Sequence, residues 1–321
     1  MDSKDLKTTS YTIAFYNLEN LFDIHTDASK FDDDFLPGSE KRWTKNRYER
    51  KLYKLGQVIS KIGPKESVKP PAIVGLAEVE NKNVVRDLIQ SKELASHNYG
   101  FVHYNSQDER GIDVALIYDK TVFTVEHSQT FGIYLEDDIG AQDYTRDILV
   151  VTGELHAEKI HCIVNHWPSR REGVIESSPK RMTAAQKVVE IIGKIKAEDA
   201  DAKILVMGDF NDNPANDSIK HLTKASNLFN PMETLLSYNR GSLNHNFRWN
   251  LFDQILCSTN FFETGLNCLK FDEADIFDEA FLTQYKGKFK GQPFRTYVGR
   301  KYKGGYSDHF PVYLRLNVTE L

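Results

Sequence analysis

Polar residues of a narrow kind recur wherever an apolar run of this chain stops. Asn17 and Glu19 follow "IAFY", Glu78 follows "IVGLA", and Asn165 and His166 follow "HCIV". Asp209 and Asn211 follow "ILVMG", Asp253 precedes "QIL", and Asp308 and His309 precede "FPVYL". Each residue alone suits a turn. A buried carboxylate, however, is costly unless it is paired or bound to a metal, so repeated use of strand ends for such groups points to one cluster. Carboxylates and amides without thiolates are hard oxygen donors, which suit Mg2+ or Mn2+. The two histidines add acid, base or electrostatic capacity. Walker loops, GxSxG elbows and HExxH helices are absent. The inventory therefore predicts metal-assisted hydrolysis of a phosphate ester.

These residues need rigid elements behind them. Strands are expected at 12–17, 72–78, 113–119, 146–155, 160–167 and 203–209, with later ones at 252–257, 294–298 and 310–318. Helices are expected from Ser39 to Gly63, where Leu52, Leu55, Ile59 and Ile62 keep helical spacing, from Asn81 to Leu94, and from Ser178 or Pro179 onward. Strands outnumber helices and many are apolar on both faces. That predicts an α/β fold with sheets stacked on each other and helices outside. No linker-like tract divides the chain, so a polar segment at 1–11 and a single domain at 12–321 are expected. The acidic turns "FDDDF" and "LEDD" are read as solvated loops.

Composition narrows the function. The chain has 321 residues, 40% of them hydrophobic, and a formal charge of −5. Bulk charge gives no long-range pull toward nucleic acid or anionic membrane, so attraction to phosphate must be local. Cys162, Cys257 and Cys268 form no CxxC and are expected to be small buried hydrophobes. No apolar run is long enough for a membrane span. The polar start "MDSKDLKTTS" is unlike a signal peptide, which favours the cytoplasm, with secretion open if the chain has been trimmed. Oligomeric state is not specified by the sequence.

The motifs "FYNLEN", "LAEVEN", "NHWPSR", "GDFND" and "YSDHFPV" resemble, in order, those of the endonuclease/exonuclease/phosphatase superfamily, across about residues 12–316. The superfamily includes deoxyribonuclease I, exonuclease III, neutral sphingomyelinases and inositol-polyphosphate 5-phosphatases. The resemblance implies a four-layer α/β/β/α sandwich, two mixed β-sheets packed face to face with helices outside. It implies metal or phosphate contact for Asn17, a metal glutamate at Glu78, and a second metal or support carboxylate at Asp308. Asp209 and Asn211 look like the pair that orients or deprotonates the nucleophilic water and holds phosphate. His309 looks like the histidine facing the phosphate, with Asp253 its carboxylate partner. His166 matches the histidine of the deoxyribonuclease, sphingomyelinase and 5-phosphatase branches, which moves the reading away from abasic-site repair. Glu80 would share the strand face of Glu78 if that strand continued, as a support carboxylate.

Arg146 and Arg170 are the first candidates for phosphate forks, ahead of Arg171 and Arg181. From Lys286 to Lys303 the chain carries seven Lys or Arg and no acid, interleaved with Phe289, Phe294, Tyr297 and Tyr302. Such a flap next to Asp308 and His309 suits a polyanion or a stacked base. The expected function is a divalent-metal-dependent phosphodiesterase, most simply a nuclease. The alternatives are a phosphomonoesterase or an inositol-phosphate or sphingomyelin-type hydrolase, and, from another class, a non-catalytic binding module.

Overall fold

The computed structural model describes residues 7–26, 33–65, 69–136 and 139–320. The expected solvated loops at 31–35 and 135–138 fall partly outside these residues. Twelve strands build two sheets: β1 (Lys7–Leu21), β2 (Ile73–Val79), β3 (Tyr99–His103), β4 (Asp113–Asp119), β5 (Phe123–Phe131), β6 (Ile148–Leu155), β7 (Glu158–His166), β8 (Lys203–Asp209), β9 (Leu228–Phe229), β10 (Asp253–Ser258), β11 (Lys270–Ile276) and β12 (Val312–Glu320). The first sheet runs β11-β12-β1-β2-β4-β3 and the second β9-β10-β8-β7-β6-β5. Both are mixed: β1 is parallel to β2 but antiparallel to β12, and β8 is parallel to β7 but antiparallel to β10. Four helices of at least two turns accompany them among the described residues: α1 (Lys45–Ile59), α2 (Lys82–Ile89), α3 (Ser178–Glu198) and α4 (Asp217–Ser226).

The run "KILVMGD" shows why the sheets stack. Side chains alternate across a strand, so Leu205 and Met207 of β8 enter the core shared with Phe15 and Leu76 of the first sheet. Ile204 and Val206 face the other way and pack with Ala184, Val188 and Ile219 of α3 and α4. A strand covered on both faces has no polar side to show, hence its unbroken apolar sequence. On the opposite flank, Leu55, Val58 and Ile59 of α1 and Val84 and Leu88 of α2 join the core of the first sheet. The layers are therefore helices, sheet, sheet, helices, the expected α/β/β/α sandwich.

Differences from expectation have local causes. β1 begins at Lys7, because Lys7 to Tyr11 pair with Leu316 to Glu320 of β12. The first helix starts at Lys45 instead of Ser39, since Arg42 adopts a left-handed conformation that interrupts the turn before Thr44. The α2 helix opens on Asn81, whose side chain accepts from the Asn83 and Val84 amides, and stops at Ile89. The 294–298 segment reduces to a two-residue strand, Tyr297–Val298. The edge strand β5 carries several exposed polar residues and the edge strand β11 is mostly half-buried, so both become legible only through pairing. Cys162 and Cys257 are buried and Cys268 is half-buried; all three are free thiols. No helix among the described residues is long and apolar enough to cross a membrane.

Register then assembles chemistry. Asp209, the last residue of β8, lies opposite Asp253 on one neighbour and opposite His166 on the other. Gly208 is needed just before it: a Cβ there would sit 2.4 Å from the Asn165 carbonyl oxygen. We expect Gly208→Ala to destabilise the fold by about 1–3 kcal/mol, as overpacking against unyielding backbone does. Gly193, exposed within α3 with nothing within 4 Å of its would-be Cβ, gives the contrast. Gly193→Ala should stabilise by about 0.5–1 kcal/mol. Denaturant titration of both variants checks the pair.

Candidate active site

The two sheets meet at their strand ends. Asn17 of β1 donates from Nδ2 to Asp209 Oδ2 of β8 at 3.0 Å, joining residues 192 positions apart. Its Oδ1 accepts the Glu19 amide, and its backbone carbonyl accepts the Ser307 hydroxyl at 2.7 Å. Glu78 sits at a bulge of β2 with φ 62°, and its Oε2 accepts the Asn20 amide at 2.8 Å. Because of that bulge the strand does not continue regularly to Glu80, which is buried and accepts the Asp23 amide. Glu19, Asn20, Glu78 and Asn211 all have positive φ. Left-handed backbone is uncommon for such residues and gathers at functional sites.

Around Asp209 the histidines close the ring. His166 Nε2 lies 3.9 Å from Asp209 Oδ2 and 4.0 Å from Glu78 Oε1. His309 Nε2 lies 3.9 Å from the same Asp209 oxygen and 4.0 Å from Asp308 Oδ1. His309 Nδ1 donates to Asp253 Oδ2 at 2.7 Å, and Asp253 is fully buried. Asn211 donates its amide to Asp209 Oδ1 and its Nδ2 to the Trp167 carbonyl. The structure thus brings Asn17, Glu78, His166, Asp209, Asn211, Asp253, Asp308 and His309 to one place. Asn165 is buried beside them, but its amide serves the Ile163 and Met207 carbonyls and the Trp167 indole.

Environment gives the two histidines opposite characters. Burial, together with the charges of Arg146, Arg110 and His309, drives His166 well below the usual histidine range, so it is neutral. Burial also disfavours charge on His309, but Asp253, with Asp209 and Asp308 behind it, outweighs this and raises it well above that range. Asp209 is pushed up to about 6 by burial and by the Asp253 charge, against the pull of His309, the Asn211 amide and Asn17. Asp308 is held below the usual carboxylate range: burial opposes this, and His309, Arg295 and Lys51 override it.

A second layer fixes these groups. Glu19 is buried and accepts the Thr296 amide at 2.6 Å and the Tyr297 amide at 3.3 Å. Arg295 bridges Asp308 at 2.6 Å and Glu19 at 3.5 Å. Lys51 of α1, also buried, donates to Thr296 Oγ1 and the Tyr306 carbonyl, both at 2.6 Å. Part of the basic run therefore holds Asp308 in place. Sequence reasoning missed Lys51, Arg110 and Asp108. For Lys51 a signal existed: it follows Tyr48 by three and precedes Leu55 by four, placing a lysine on the inward stripe of α1.

The two predicted phosphate forks differ. Arg146 is buried beside His166, bound to Asp108 Oδ2 at 3.1 Å and the Trp167 carbonyl at 2.8 Å, and its Nε has no protein partner. Arg170 is committed elsewhere: Nε to the Asn211 carbonyl, one terminal nitrogen to Asp212 and Asn216, and its guanidinium over the Phe252 ring at 4.5 Å. It braces the loop that carries Asn211. Arg181 pairs with the same Asp212 at 2.9 Å.

A divalent cation fits one part of this site better than another. Asp209, Asp253 and His309 offer ligand atoms within 4.8 Å of one another. The 2.7 Å His309 Nδ1–Asp253 Oδ2 contact, however, is a hydrogen bond that occupies one ligand atom of each residue. Glu78 and Asp308 add further carboxylate oxygens, of which Asp308 is paired with Arg295 at 2.6 Å. Their carboxylates share a region with Lys51 and Arg295, whose charges both act on them. The donor set is all oxygen, the preference of Mg2+ or Mn2+.

Comparison with known proteins agrees with this architecture. A sequence family described as the Endonuclease/Exonuclease/phosphatase family matches residues 12–318. The fold is similar to a family protein of that description from Bacteroides thetaiotaomicron, with TM-score 0.62 and 16% identity, covering 98% of this chain and 97% of that one. It is also similar to truncated Caenorhabditis elegans TDP2, at TM-score 0.57 and 15% identity, covering 96% and 97%. Similarity to the Bacteroides thetaiotaomicron mannosyl-6-phosphatase Bt3783 gives TM-score 0.59 and 15% identity, covering 95% and 99%. No curated protein sequence matches.

The His309–Asp253 pair has a pH signature. A histidine raised by folding holds its proton longer in the native state. Its contribution to stability is complete below the unfolded pKa near 6.5 and is lost as pH rises through the higher folded value. In chelator, we expect denaturant stability to decline over that alkaline window, and Asp253→Asn to flatten the decline. NMR titration should place the His309 ring above the usual range in the parent and lower in the variant. Identical titrations would show that Asp253 does not govern His309.

Proposed function

The chain belongs to the endonuclease/exonuclease/phosphatase family, and from that premise we propose that it is a divalent-metal-dependent phosphodiesterase, most simply a nuclease. The observation that carries this reading is the convergence of Glu78, His166, Asp209 and His309 within about 4 Å steps of one another, at ends of strands from both sheets. Glu78 would hold the cation, with Asn17 and Asp308 beside it. When bound, the ion supplies Lewis-acid polarisation of a phosphoryl oxygen.

This chain's own groups do the rest. Asp209, raised toward neutrality, takes a proton from the attacking water, and Asn211 orients that water. His309, kept protonated by Asp253, faces the charge that grows on the phosphoryl oxygens. His166 is neutral, which suits a hydrogen-bond donor to an oxygen of the reacting phosphate and not a resident cation. Arg146 keeps one unpartnered Nε–H for a phosphate oxygen, its terminal nitrogens being held by Asp108 and the Trp167 carbonyl. Arg170 keeps Asn211 in place from behind.

Similarity to a mannosyl-6-phosphatase supports a second reading, a phosphomonoesterase on the same scaffold. Bis-nitrophenyl phosphate, nitrophenyl phosphate, DNA, RNA and inositol phosphates assayed side by side separate the two. We expect diester hydrolysis that stops in chelator and returns with Mg2+ or Mn2+. Activity on the monoester alone would favour the second reading. Asp209→Asn and His309→Ala should each lower turnover by at least about a hundredfold while circular dichroism stays that of the parent. Parent-like turnover in either variant would overturn these roles.

A further inference from the structure

One exposed feature is left unused by the chemistry above. Beyond β9 a hairpin rises in which Leu243 pairs with Asn250, Asn244 with Trp249 and His245 with Arg248. Its base is tied to the active site: Leu243 bridges His309, the Phe310 amide donates to the Ser242 carbonyl at 2.7 Å, and Trp249 stacks on Phe310. The two-residue tip is Asn246-Phe247, with φ 49° and 63°. A turn of this kind asks for Asn-Gly, because both central residues need positive φ. A bulky aromatic there is a genuine outlier, and an observed outlier at an exposed position invites a functional reason.

Phe247 is 58% exposed. Its ring stacks parallel on Phe289, with centroids 5.6 Å apart and planes 3° from parallel, which links the hairpin to the basic run. The Lys288 ammonium lies 4.9 Å over the Phe289 ring, and Phe247, at 58% exposure against 36% for Phe289, presents the larger open aromatic surface. Arg248 is exposed next to the tip. Neither 280–307 nor 239–252 contains an Asp or Glu. An otherwise acidic protein therefore presents a flat aromatic face set among cations, at a distance fixed by the hairpin. The strand on this arm runs Leu243–His245, and Phe247 stands at the turn two residues beyond its end.

We infer that Phe247 is a stacking platform for an unpaired base of a single-stranded nucleic acid whose backbone runs along Arg248 and Lys288 toward His309. This deepens the nucleic-acid branch of the function proposed above and rests on it. Base stacking on an aromatic face tolerates any sequence, while the flanking cations make binding salt-dependent.

Fluorescence anisotropy in chelator tests binding without turnover, using a fluorescein-labelled oligodeoxythymidylate and an abasic strand of equal length. Phe247→Gly gives the turn its preferred residue, so thermal stability should be equal or higher. Affinity for the base-bearing strand should fall about tenfold and affinity for the abasic strand should stay unchanged. Hydrolysis of bis-nitrophenyl phosphate should be unaffected in the same variant. Equal binding of both strands by the parent, or parent-like binding by Phe247→Gly, overturns the inference. So does binding of anionic phosphatidylserine vesicles with none of the oligonucleotide. A parent that binds the base-bearing strand selectively yet hydrolyses no diester would refute the catalytic reading and leave the platform standing.

Discussion

A hydrogen-bonded seam, Asn17 to Asp209 and His309 to Asp253, joins the end of one sheet to the end of the other. The rest of the site depends on it because neither sheet carries the full set of groups. The first supplies Glu78 and, just before β12, Asp308 and His309; the second supplies His166, Asp209 and Asp253. Two sheets packed face to face hold their strand ends at nearly fixed separation, since a close-packed core resists sliding. Polar groups placed at those ends inherit that rigidity, which is what a reaction needing precise placement of water, phosphate and cation requires.

Gathering charge in this way is costly, and the molecule balances it within a short radius. Five carboxylates, at Glu19, Glu78, Asp209, Asp253 and Asp308, lie near two histidines, Lys51 and Arg295. Burial raises Glu19 and lowers Lys51, each favouring its neutral form, while their mutual attraction opposes both shifts. Removing one partner of such a set leaves another buried charge uncompensated. The same balance separates the histidines: Asp253 makes His309 a cation, whereas the neighbouring arginines help keep His166 neutral. Two residues of one type thereby do different work a few ångströms apart.

Much of this was legible in the sequence, for identifiable reasons. "KILVMGD" reads as a two-face-buried strand, and β8 runs over Lys203–Asp209 as expected. "GDFND" declares its own geometry, since Gly208 must let the Asn165 carbonyl approach and Asn211 must take a left-handed conformation. What stayed hidden depends on partners distant in sequence. Strands β5 and β11 are edge strands, with little apolar patterning to reveal them. Arg170 looked like a phosphate fork because its neighbours in sequence say nothing of Asp212 and Asn216. The basic run looked uniform, yet Arg295 serves Asp308 while Lys288 stands over Phe289. Glu80 seemed a twin of Glu78 until the bulge at φ 62° set them apart.

The most direct test of the central claim, that both sheets together grip a cation beside a phosphate-activating cluster, is anomalous diffraction from crystals grown with Mn2+. The account predicts an anomalous peak at the Glu78 carboxylate, within reach of Asn17 and Asp308 and beside Asp209. No peak there, with manganese found only on surface carboxylates, would contradict it.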